Sequence, residues 1–234
     1  MCLPEDSITP SMEATMFHKS LLLLFSSIFL LSAQSEVPSY KGSDYFPTKP
    51  GLTWYMKSIG QTGQAVDMTS RYLVEIAPYP NDQDWGLAVA PVGIRKDLFM
   101  KGRLMGFTIS VYFVHLNGKV EVVNTEWQMF GSKFTEFDPP RTHFPAEITI
   151  GTKWEDRPFG MESSEIHQYE VIEFLDVFSL PNGLRFNNVM VVREEAFTNG
   201  EHFGSIIHYY APERGEIGMR FPDGDLFQYM SNEP

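Results

Sequence analysis

Residues able to move a proton come first. Beyond residue 40 the chain carries five histidines, His115, His143, His167, His202 and His208, and an acidic pair, Glu194 and Glu195. A hydrolase could be assembled from His208, Glu194 and His167 if folding brought them together from distant strands, with an imidazole as base and a carboxylate orienting it. Local spacing alone builds no such site. His202 and His208 share a strand parity, but six residues at about 3.3 Å each hold them roughly 20 Å apart. No His-Glu-x-x-His or comparable metal-ligand spacing occurs. Ser205 follows a glycine in Phe203–Ile207, yet inside a strand rather than on a strand-to-helix elbow, and His208 three residues on faces the opposite side. Glu194 and Glu195 are adjacent and therefore also point apart in a strand.

The acidic loops are equally spare. Asp223 and Asp225 flank Gly224, and Asn81–Gly86 holds two more acids, but Phe227 and Gln228 interrupt the first as a calcium loop and Trp85 the second. There is no phosphate-binding GxxxxGK[ST] and no dinucleotide-binding glycine set. Neither a catalytic residue, nor a metal, nor a cofactor is expected. The one cysteine, Cys2, removes disulfides and thiolate chemistry from everything after it.

The aromatics remain. They make up 14% of the 234 residues. Trp54, Tyr72, Tyr112, Trp154, Tyr169 and Tyr209 are candidates for the core or for lining an apolar ligand site. Phe130, Phe134, Phe137 and Phe144 form a candidate plug or partner patch.

Export sets the context. Leu21–Leu31 is an apolar run preceded by Lys19 and followed by the small residues Ser32–Ser35, the layout of a signal peptide with cleavage near Ala33 or Ser35. The run is too short for a membrane span, which needs roughly 20 residues. The acidic stretch before it makes Met16 the expected start. Gln34 stands where a lipidated cysteine would have to be, so no lipid anchor is expected. Residues 36–234 carry 17 Lys and Arg against 27 Asp and Glu, a surface unsuited to nucleic acid. The chain has no Asn-x-Ser/Thr sequon.

The elements that must position these residues are strands. Asn117-Gly118, Asn182-Gly183, Asn199-Gly200 and Asp223-Gly224 each separate apolar runs, the strongest short-range hairpin signal when both turn residues accept positive φ. Eleven strands are expected, near 52–59, 69–77, 85–92, 104–115, 119–124, 152–158, 165–178, 184–197, 202–210, 215–221 and 225–230. The fold class is all-β: an antiparallel up-and-down meander forming a curved half-barrel-like sheet or a two-sheet sandwich.

Internal repetition is also legible. Phe46-Pro47 precedes Gly51-x-x-Trp54, and Phe144-Pro145 precedes Gly151-x-x-Trp154. Tyr72/Tyr169 and Tyr112/Tyr209 keep nearly the same offset, so a single domain over 36–234 is expected to hold two similar halves, about 44–132 and 142–234. The Pro-bearing stretch Lys133–Glu147 is expected to join them.

Three segments carry a resemblance: YFPTKPGLTWYMK (Tyr45–Lys57), GLRFNNVMVV (Gly183–Val192) and IIHYYAPERGEIGM (Ile206–Met219). They resemble an uncharacterised group of exported bacterial β-proteins that open on a Phe-Pro…Gly-x-x-Trp strand and close on a Tyr-Tyr-Ala-Pro-x-x-Gly-x-[Val/Ile] hairpin. Arg214 is bulkier than the turn residues usual there. The resemblance implies export, a bacterial origin and β-architecture, and no activity. The sequence thus points to a non-catalytic exported protein, periplasmic or extracellular, that binds an apolar small molecule, a lipid or an envelope partner. An envelope interaction module and the hydrolase are the alternatives.

Overall fold

Alternation of inward and outward side chains drives this chain into strands along its length. The computed structural model describes residues 38–60, 65–76, 88–128, 132–158 and 164–230. The leader-like run, Cys2, the loop at 81–86 and Phe130 lie outside the described residues. The elements are β1 (Tyr40–Lys41), a 3-10 turn (Gly42–Tyr45), β2 (Thr53–Ile59), β3 (Ala65–Ile76), β4 (Ala88–Met100), β5 (Arg103–His115), β6 (Val120–Gln128), β7 (Ser132–Phe144), β8 (Glu147–Ile148), β9 (Lys153–Asp156), β10 (Glu165–Ser179), β11 (Arg185–Thr198), β12 (Glu201–Ala211), β13 (Gly215–Arg220) and β14 (Leu226–Met230). In β2 the pattern is plain: Trp54, Met56 and Ser58 are buried and the residues between them are not.

Twelve strands form one antiparallel sheet in the order β7-β6-β5-β4-β3-β2-β14-β13-β12-β11-β10-β9. Two six-stranded meanders, β2–β7 and β9–β14, are therefore joined edge to edge through β2 and β14. The sheet curls until its outer strands, β7 and β9, face each other. Arg141 of β7 spans that seam, with Nη1 3.2 Å from Asp156 Oδ2 and donating to the Arg157 carbonyl at 3.1 Å. The result is a single, nearly closed curved sheet, not a sandwich of two.

Most of the stretch 133–147 is strand, β7 running to Phe144, where a linker was expected. As an outer strand, β7 ladders only with β6. Their register jumps from Glu136 to Arg141, so Pro139 and Pro140 sit where no ladder donor is needed. Strand β4 likewise runs on to Met100, because Lys101 and Gly102 (φ 51° and 71°) close a two-residue hairpin without an Asn-Gly signature. Of the four Asn-Gly and Asp-Gly turns, only Asn199-Gly200 places both residues at positive φ. In the other three the glycine alone does so. There the preceding side chain caps the turn, with Asn117, Asn182 and Asp223 accepting from the N–H two residues on at 3.0, 3.1 and 3.0 Å.

The Gly-x-x-Trp echo has one geometry at both places. Gly51 N–H donates to Val74 O at 2.8 Å, and Val74 N–H returns to Leu52 O at 2.9 Å. Gly151 N–H donates to Val171 O at 2.7 Å, and Val171 N–H returns to Thr152 O at 2.9 Å. Trp54 is paired with Tyr72 across strands and stacks on it at 4.9 Å; Trp154 is paired with Tyr169 and stacks at 5.2 Å. Such pairs contribute roughly 0.5–1.5 kcal/mol beyond their buried area.

One end of the curled sheet is stoppered by the segment from Tyr40 to Pro47. Strand β1 pairs with β8, Ser43 N–H donates to Gly118 O at 2.8 Å, and Glu213 N–H donates to Asp44 O at 2.8 Å. The fit depends on Gly215 (φ 75°), where a Cβ would lie 2.8 Å from Pro47 Cδ. At the same end the β10–β11 tip folds onto β12, and Phe178 stacks on Tyr209 at 4.3 Å. Tyr209 and Tyr210 are thus both buried, whereas Phe203 at the start of β12 is exposed.

Candidate functional site

Inside the curled sheet, inward side chains from successive strands leave two spaces that meet at Lys96. The one under the stopper is about 230 Å³ and is walled by Phe46, Trp54, Tyr72, Tyr112, His143 and Tyr210. Phe46 packs on Tyr112 at 4.8 Å and on His143 at 5.7 Å. Burial, reinforced by the positive charges of Arg141 and His208, lowers the His143 pKa to about 3. The ring is therefore neutral and serves as one more aromatic wall.

The second space, beyond Lys96, is about 460 Å³. Its apolar wall is Met68, Leu98, Trp127, Met219, Phe221 and Phe227. The hydroxyls of Ser70, Thr108, Ser110 and Thr125 lie on β3, β5 and β6, Ser70 beside Met68 and Thr125 beside Trp127 on the same strands, and Ser110 and Thr125 bond each other at 2.9 Å. Two cations, Lys96 and Arg141, and Pro158 complete the lining. Lys96 lies 5.2 Å from the centre of the Tyr72 ring. Its pKa is raised, first by Tyr72 and against desolvation, so it stays charged.

On the β10–β13 side the interior is polar. His208 Nδ1 lies 2.6 Å from Glu216 Oε1 and His208 Nε2 lies 2.7 Å from Glu194 Oε2. Glu194 Oε1 lies 2.8 Å from His167 Nδ1, and His167 Nε2 lies 2.7 Å from Glu165 Oε1. Strand register explains the chain. His208 is paired with Val192 and Tyr169 with Glu194, so the two histidines stand on either side of Glu194 as diagonal neighbours on one face. Carboxylates only accept, so each imidazole donates through both nitrogens and is cationic. Burial would lower the His208 pKa, but Glu194 and Glu216 overcome it and hold it at about 9. Burial likewise would raise Glu194, but its two imidazole partners bring it down to about 2. His167 is raised, chiefly by Glu194.

The three residues that could have made a hydrolase are thus brought together, in a form suited to charge pairing. Neither ring keeps a nitrogen free to take a proton, as a general base must. Glu194 and Glu195 do face opposite ways. On the outer face Ser205 donates to Glu195 at 2.6 Å, and His202 Nε2 touches the same carboxylate at 2.6 Å. Phe203 is bulged out of the β11–β12 ladder, so the parity shared by His202 and His208 is broken, and His202 turns outward beside Ser205. The ring uses one nitrogen for both neighbours, lying 3.4 Å from Ser205, which leaves no relay from carboxylate through imidazole to hydroxyl. Among the described residues no group of three His, Cys, Asp or Glu is arranged to hold a metal ion.

The aromatics singled out from sequence do not line the larger cavity. Trp54, Tyr72 and Tyr112 wall the smaller space, while Trp154 packs on Phe144 and Tyr169 on His208 inside the sheet, both also bordering a polar groove beside Lys153 and Arg193. Tyr209 faces away from the interior under Phe178, and Tyr210 takes the inward position instead. Of the four phenylalanines, the three described do not make one patch: Phe144 is core, Phe137 lies beneath the Arg141 guanidinium at 3.9 Å, and Phe134 is exposed. Lys96 was missed, although it carried a signal. It is the one charge in the inward series Val92, Ile94, Lys96, Leu98.

No protein-family model matches the chain, and no curated protein is similar to it. Among solved structures, a putative lipoprotein from Parabacteroides distasonis superposes with a TM-score of 0.46 at 11% identity, over 80% of this chain and 97% of that one. Among the described residues no helix is long and apolar enough to cross a membrane.

Proposed function

We propose that this is a non-catalytic, exported bacterial protein that holds a small amphipathic molecule inside its curled sheet. The observation that carries the reading is the 460 Å³ cavity, lined by apolar side chains with a few hydroxyls and two cations among them. Ligand sites have this size and this balance of surfaces. The engagement of both nitrogens of His167 and of His208 favours binding over proton transfer. The leader-like run at Leu21–Leu31 favours export. The resemblance to exported bacterial β-proteins accords with both.

Native mass spectrometry of the full chain, purified from an exporting host, tests the reading. The expected spectrum holds a bound species of a few hundred daltons that is absent from Leu98→Trp, which fills the cavity. A wild-type protein that carries no such species and takes up no amphiphile from solution would overturn it.

A further inference from the structure

Three polar groups with hydrogen-bond donors to spare converge on the larger cavity. Lys96 makes no ion pair among the described residues; its ammonium hydrogen-bonds Tyr72 and lies 5.2 Å from the centre of that ring, which leaves N–H donors over. Glu216 acts on Lys96 through space, but that carboxylate is already bonded to His208 at 2.6 Å. Ser70 is fully buried, lines the cavity, and its Oγ has no hydrogen-bond partner. Arg141 spends Nη1 on Asp156 and on the Arg157 carbonyl, and its buried Nε has no partner. Lys96 is paired with Tyr72 and Ser70 with Leu98 across β3 and β4, so Ser70 and Lys96 are diagonal neighbours on the inner face. Buried polar atoms left unpaired are costly, and a cluster of them facing one space points to a missing acceptor.

We infer that this cluster seats the carboxylate of a singly charged amphiphile, whose apolar chain lies along Trp127, Met219, Phe221 and Phe227. This rests on the binding reading above and specifies its ligand. Lys96 supplies the charge, Ser70 Oγ–H a neutral hydrogen bond, and Arg141 Nε–H a second cationic donor. One negative charge suits the site better than two, because Glu216 and Asp156 already stand behind Lys96 and Arg141. The hydroxyls of Thr108 and Ser110 flank the seat on β5.

Titration calorimetry at pH 7 with dodecanoate, 1-dodecanol and dodecyltrimethylammonium tests it on the full chain. Dodecanoate is expected to bind at least about tenfold more tightly than dodecanol, the scale of one charge-assisted hydrogen bond, and the quaternary amine to bind more weakly still. Lys96→Met is expected to make dodecanoate and dodecanol equal, Lys96→Arg to keep the preference, and thermal melts to show both variants folded. Equal binding of dodecanoate and dodecanol by the wild type would overturn the carboxylate seat while leaving the binding cavity standing. A preference that survives in Lys96→Met would overturn the assignment to Lys96. Failure of all three amphiphiles to bind would overturn the binding reading and this inference with it.

Discussion

The charge chain makes stability depend on pH in a way that can be worked out from His208. The unfolded imidazole titrates near 6.5, and in the fold its two carboxylates hold the proton to about 9. Below about pH 6.5 the ring is protonated in both states and its contribution is fully present. As pH rises the unfolded ring gives up its proton first, and the contribution is gone once the folded ring loses its own near 9. An imidazole moved that far gains about 3 kcal/mol, at 1.36 kcal/mol per decade. His167 is raised too and adds a change of the same sign. In a domain of this size a loss of about 3 kcal/mol lowers the melting temperature by roughly 6–12 °C. Urea unfolding at pH 6.0 and pH 9.5, at fixed ionic strength, measures it. His208→Gln is expected to be less stable at pH 6.0 but to lose markedly less on going to pH 9.5. An equal loss in wild type and variant would refute the assignment of the alkaline slope to this ring.

Three further outcomes follow from the geometry. His143, held neutral down to about pH 3, contributes stability that is present above 6.5 and lost as pH falls; His143→Phe should flatten the acid side of the same stability curve. Gly215→Ala places a Cβ 2.8 Å from Pro47 at a φ of 75° and should cost about 1–3 kcal/mol in thermal or urea unfolding. Arg141→Met removes the cation beside Asp156 at the seam, and should cost about 2–3 kcal/mol and speed amide exchange in β7 and β9.

Much of the fold was legible because it is written in turns and alternation. Four Asn-Gly and Asp-Gly pairs marked four hairpins, even though three of them use a three-residue loop instead of two adjacent positive φ angles. The two-residue turn at Lys101-Gly102 was hidden because lysine at positive φ carries no sequence preference that announces it. Strand β7 was hidden for the opposite reason: its prolines read as a linker, and they are tolerated because the strand lies at the seam and bulges where they fall. Large rings at regular positions built the walls that had to be filled, while the open space was left by Ser70, Thr108 and Ser110, small residues that no pattern singles out.

The charged residues explain why the interior divides. On the β10–β13 side every ring nitrogen of His167 and His208 has a carboxylate, so the chain from Glu216 to Glu165 is closed to further partners. On the β3–β7 side Ser70 Oγ and Arg141 Nε have no partner, and Lys96 hydrogen-bonds only Tyr72, all around an open volume. A buried network that is fully satisfied holds strands in one register; a buried set of donors that is not satisfied weakens the free protein and is relieved by whatever supplies the acceptor. The two sides of one sheet therefore do different work. The paired side fixes β10 to β13 in place, and the unpaired side is where free energy can be gained on binding. The segment from Tyr45 to Pro47 fills part of the smaller space with its rings, and it is the larger cavity that gathers the unpaired donors.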